Sequence, residues 1–146
     1  MTTSKPTQGG SFAFDKGKLT FAKFKDKHYV DEAVEHVKVA FPDQYGRLWA
    51  TQVHADFFIK TIEADGHFEF QGNPFTRDVV GKSIEGLEEM GKNLKLATDL
   101  STLRISHLNA KSAFVLADVC CSEDLKPLPY APRTILKKQI ESRGDI

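Results

Sequence analysis

Cysteine is nearly absent from this 146-residue chain, and its two copies, Cys120 and Cys121, are neighbours. Adjacent thiols cannot close an unstrained bridge, and in a strand they point to opposite faces, so no disulfide framework is expected. A zinc site would need more ligands at wider spacing. Both are read as reduced packing residues; the rival reading, a redox-sensing thiol, finds nothing nearby to lower a thiol pKa. Long apolar runs are missing as well: none approaches the roughly 18 residues that span a bilayer. Met1–Gly10 carries no apolar stretch of a secretory signal, which with reduced cysteines points to the cytoplasm and away from a membrane. Net charge is zero, with 20 Lys and Arg against 20 Asp and Glu. That balance argues against a general polyanion binder.

Catalytic signatures are also lacking. There is no HExxH, CxxC or GxSxG, and no GxGxxG after a strand. Gly81-Lys82-Ser83 lacks the upstream glycine of a phosphate loop and sits inside a helix-like stripe. The sequence therefore leans away from an enzyme and implies no cofactor and no metal.

What is present is an aromatic-rich, hairpin-like pattern. Met1–Gly10 reads as a flexible tail. Ser11–Phe14 and Leu19–Phe24 flank Asp15-Lys16-Gly17-Lys18 and read as a β-hairpin. Across Tyr29–Phe41, Val30, Val34, Val37 and Phe41 recur at helical spacing ahead of Pro42, although the β-branched content makes a strand from His36 to Phe41 the rival. Residues 47–62 alternate with period two, as a long strand or two strands meeting at a bend. Asp65-Gly66 then supplies a turn, with His67–Gln71 returning as partner. A second helix is expected over Thr76–Leu96, interrupted by Gly81, Gly86 and Gly91 at about 1 kcal/mol each. Leu100–Leu108 and Ser112–Cys121 form a second hairpin about Asn109-Ala110-Lys111. A loop with Pro127 and Pro129 leads to a basic helix that starts at Pro132. These elements predict one α+β domain with an antiparallel sheet built from hairpins and two or three packed helices, an OB-like partly closed barrel being the variant. The domain spans 11–125, and 126–146 forms a Pro-containing loop and basic C-terminal helix.

Charge is unevenly distributed. Residues 1–28 and 126–146 are basic, and the intervening stretch is acidic. In the first of these, Lys16, Lys18, Lys23, Lys25 and Lys27 interleave with Phe24 and Tyr29. Cations that follow phosphates beside aromatic faces that stack on bases are the chemistry of single-strand binders. Trp49 and Phe58 extend the stacking set, and Lys137, Lys138 and Arg143 extend the cationic track. The leading expectation is a non-enzymatic protein that binds single-stranded nucleic acid. Its alternative is a protein-interaction module, an adaptor, inhibitor or structural subunit, that self-associates through basic ends and an acidic middle. The remaining chemistry lies in Glu32 with His36, and in His54, Asp56, His67 and Glu69, which the expected hairpin brings to one face as a metal or acid–base site. Solvated polar residues are the plainer account of all six.

Overall fold

The computed structural model of the protein describes residues 20–26, 34–64, 66–87, 93–106 and 111–143. The expected tail Met1–Gly10, the Ser11–Phe14 strand and the turn residues Asp65, Asn109 and Ala110 lie outside them. Nine elements follow in order among the described residues: α1 (Phe21–Lys25), β1 (His36–Pro42), β2 (Leu48–His54), α2 (Ala55–Glu63), β3 (Phe68–Gln71), α3 (Asn73–Thr76), β4 (Asn93–Ser106), β5 (Ser112–Cys121) and α4 (Pro132–Ser142).

The strands form one sheet in the order β2-β1-β5-β4-β3. Two antiparallel pairs made by chain neighbours, β1–β2 and β4–β5, meet where β1 lies parallel to β5, with Val37 opposite Ala113 and Val39 opposite Val115. The α+β class holds, but the sheet is mixed rather than antiparallel. Register breaks in β4 between Asp99 and Arg104, an irregularity of the kind that bends a strand. The sheet curls into a half-barrel, compatible with the partly closed variant.

Several local expectations change, each for a physical reason. Phe21–Lys25 is a helix rather than the second half of a hairpin: Thr20 caps it by accepting from the Lys23 amide at 3.3 Å. In a strand Phe21 and Phe24 would face opposite ways; one helical turn brings both rings to Phe58, at 6.4 and 5.8 Å. The rival strand reading wins at His36–Pro42, where Val37, Val39 and Phe41 alternate inward. The alternation over 47–62 is real only to His54. There the chain turns into α2, whose Ala55 and Phe58 are buried and whose Ile59 and Ile62 pack against the core, a helical spacing. Strand β3 exists, but it pairs with β4 (Phe68 opposite Leu96) and not with the segment before it. The helix expected from Thr76 is replaced over 77–87 by turns in which Gly81 and Gly86 take φ of 85° and 83°. A right-handed helix has no such conformation. The β4–β5 hairpin and the helix starting at Pro132 are borne out.

The core lies on one face of the sheet. Val37, Val39, Leu96, Leu103, Val115 and Val119 carry it, covered by Phe58 of α2 and Phe75 of α3. The rings of Phe58 and Phe68 stack 5.8 Å apart with planes 9° from parallel. Alternate residues of β4 and β5, among them Asp99 and Asp118, face the other way and receive α4.

Candidate functional site

Lys16, Lys18, Lys27 and Tyr29 lie outside the described residues. The others are dispersed. Phe24 is buried against Phe58 and has no face to offer a base. Lys23 is exposed on α1. Lys25 pairs with Glu63 at 2.9 Å and lies 5.1 Å over the Phe21 ring. Lys137 is held by Asp118 at 2.5 Å, and Lys138 is exposed beside it. Helix α1 packs on the core side, through Phe58, and α4 on the other, through Asp118. The described lysines of the two basic ends therefore stand on opposite faces of the sheet and make no continuous track.

Trp49 is 43% exposed, but its indole is fixed rather than available. Asp43, which follows Pro42 and opens the tight β1–β2 turn, is fully buried. Its Oδ2 accepts from Trp49 Nε1 at 2.8 Å and Arg47 Nε at 2.7 Å, and its Oδ1 from the Tyr45 and Arg47 amides at 2.9 Å each. Burial pushes this carboxyl up, but the donors outweigh it and hold it below the usual carboxylate range. The Arg47 guanidinium lies over the Tyr45 and Trp49 rings at 5.2 and 5.7 Å. The result is a rigid knob of Tyr45, Arg47, Leu48 and Trp49. The Pro-Asp-x-x-Gly run was its sequence signal.

The proposed His and carboxylate site does not assemble. His54 caps α2, its Nδ1 accepting from the Asp56 amide at 3.3 Å and lying 3.7 Å from the Asp56 carboxylate. Glu69 sits on β3, with His67 just before it. Strands β2 and β3 are the two opposite edges of the sheet, and Asp56 is carried into α2, so the four residues do not share one strand-pair face. His36 stands opposite His54, ring to ring at 6.1 Å, while Glu32 is outside the described residues. No group of three or more His, Cys, Asp or Glu suited to a metal occurs among the described residues. Cys120 is buried, and burial pushes its thiol up, against the redox-sensing reading.

A second polar cluster was not legible in the sequence, because its members are far apart in the chain. Arg133 donates from Nε to Asp118 at 2.8 Å and from Nη2 to Asp99 at 2.7 Å, and Lys137 adds the second contact to Asp118. Burial opposes the Asp99 charge, but Ser101 and Arg133 outweigh it and keep the carboxyl low. Beside this clamp a cavity of about 320 Å³ opens between the end of β5 and α4, lined in part by Asp118, Lys126, Thr134, Lys137 and Lys138. Lys126 and Lys137 are already committed to Asp124 and Asp118.

The clamp also orients α4. Arg133 and Lys137 turn toward the sheet, while Lys138 is exposed and Ile135, Leu136 and Ile140 are 47%, 59% and 62% exposed. Surface helices ordinarily bury such aliphatic side chains. Three exposed aliphatic side chains on one short helix make an apolar surface suited to another folded body.

Comparison with known proteins gives this curled mixed sheet a context. No family model matches the chain. It is similar to glutamate–isopropylamine ligase of a Pseudomonas species, 31% identical over 128 residues that cover 84% of this chain and 27% of that protein. It is similar also to gamma-glutamylethanolamide synthetase of Streptomyces coelicolor, 29% identical over 112 residues, 74% of this chain and 24% of the relative. The chain thus spans about a quarter of the length of the curated relatives it matches. Among solved structures, apo GmaS superposes with a TM-score of 0.59 at 20% identity, over 77% of this chain and 24% of that one. The GmaS complex with ADP gives 0.60 at 19%, over 80% and 25%. These structures share the fold. Together the comparisons overturn the nucleic-acid reading: the curated relatives are a glutamate–isopropylamine ligase and a gamma-glutamylethanolamide synthetase, not nucleic-acid binders. Among the described residues no helix is long and apolar enough to cross a membrane.

Proposed function

We propose that this chain is the sheet domain of a ligase that joins a glutamate carboxyl to an amine, and that α4 is the surface on which the remainder of such a ligase seats. Forming an amide from a carboxylate and an amine in water is uphill, so the reaction is coupled to cleavage of a nucleoside triphosphate. The ADP named with GmaS accords with this. The observation that carries the reading is the pairing of a 31% identity to glutamate–isopropylamine ligase over 84% of this chain with the outward Ile135, Leu136 and Ile140 of α4. In this reading residues 11–125 form the body of the domain and 126–146 the docking element. Arg133 holds that element in place, and the chain works in the cytoplasm, where glutamate, nucleotide and reduced thiols occur together.

The test is a chimera in which this chain replaces the matched stretch of the Pseudomonas ligase. The reading expects ADP release that requires both glutamate and isopropylamine. A chimera that folds and assembles like the parent yet releases no ADP would overturn it.

A further inference from the structure

The open edge of the sheet carries a second inference, independent of the ligase reading. Strand β2 is the terminal strand on its side, and among the described residues nothing pairs with its outer edge. The Asp43 amide donates to the Arg47 carbonyl at 2.8 Å, and the Ala55 amide to the Glu35 carbonyl at 2.9 Å. Hydrogen-bonded pairs alternate along an antiparallel ladder, so Trp49, Thr51 and Val53 aim their backbone groups at β1. Leu48, Ala50, Gln52 and His54 aim theirs outward.

This edge has none of the usual guards. Leu48–His54 contains no proline, no lysine and no carboxylate, and its outward residues are all exposed. The following helix does not screen it, because α2 turns back over the core face, where Phe58 meets Phe68.

We propose that this edge pairs with β2 of a second copy, antiparallel about a two-fold axis at Thr51. In that register Ala50 of one copy exchanges hydrogen bonds with Gln52 of the other, and Leu48 with His54, so every outward group finds a partner of the right kind. Trp49, 43% exposed in the single copy, lies against Val53 across the axis. No like charges meet. Arg47, 51% exposed, comes level with the start of α2, where Asp56 is 79% exposed, and this complementary contact occurs twice.

Sedimentation velocity across about a hundredfold range of concentration tests this. The chain is expected to form a dimer. Ala50→Lys with Gln52→Lys sets lysines opposite lysines in both halves and raises the dissociation constant roughly tenfold. Ala50→Lys with Gln52→Glu sets lysine opposite glutamate at the same positions and preserves or tightens the dimer. Neither residue bonds to β1 through its backbone and both are exposed, so the thermal midpoint of the monomer serves as the folding control. A wild-type chain that stays monomeric throughout overturns the proposal. So does a dimer whose affinity is the same in both variants.

Discussion

The indole of Trp49 donates to the fully buried carboxylate of Asp43 at 2.8 Å, and so ties a half-exposed ring on the edge strand to the base of the β1–β2 turn. Three further donors, from Tyr45 and Arg47, complete the shell of this carboxylate. A carboxylate without solvent and with four donors is stable only while ionised.

Asp43→Asn should therefore cost about 2 kcal/mol near neutral pH, because an amide cannot accept from all four donors. The pH dependence follows from the lowered pKa. An unfolded aspartate titrates near about 3.9, so the contribution is complete above that value and is lost as pH falls through the lower folded value. Urea denaturation at a series of pH values should show the variant losing less stability than wild type over the acid range.

Arg133→Met leaves Asp118 with Lys137 alone and Asp99 with Ser101 but no cation. We expect a loss of roughly 2 kcal/mol and faster amide exchange confined to α4 and its neighbours. Arg133→Lys should recover little, since one ammonium cannot span two carboxylates.

Gly81→Ala and Gly86→Ala distinguish turns from a helix by sign. A Cβ at either site meets nothing within 4 Å, so the whole effect comes from the positive φ. Each substitution should destabilise by about 1 kcal/mol. Had residues 76–96 been helical, the same changes would have stabilised by a similar amount. Thermal melts of the two variants decide between them.

Phe58→Ala removes the ring on which Phe21, Phe24 and Phe68 converge. A cavity at a fully buried site of this size should cost about 3–5 kcal/mol, measured by chemical denaturation.

The sequence disclosed features that short-range chemistry dictates. The Ser112–Cys121 strand, its hairpin partner and the start of α4 at Pro132 follow from β-branched runs and from a proline that suits a first helical turn. The misreadings share a cause. Phe21 and Phe24, Ala55 to Ile59, and the glycines at 81 and 86 all fit two periods, and a short window cannot choose between them. The choice was made by Phe58, which lies far from Phe24 in sequence and under it in space. The parallel contact of β1 with β5 joins residues more than seventy positions apart and leaves no local trace. The same distance hid two ion pairs: Lys25 and Lys137 were read as cations for phosphate, and their partners Glu63 and Asp118 are distant in the chain. The sequence showed α4 as a basic helix, and only the Asp99–Arg133–Asp118 clamp tells that Ile135, Leu136 and Ile140 face out.

The most direct measurement is amine-dependent ADP release by the ligase chimera carrying Leu136→Glu and Ile140→Glu. These residues touch solvent in the chain alone, so its own thermal midpoint should hold within a degree or two. The account predicts that turnover falls at least about tenfold, because carboxylates are buried where the rest of the ligase seats on α4. Turnover equal to that of the unsubstituted chimera would contradict it.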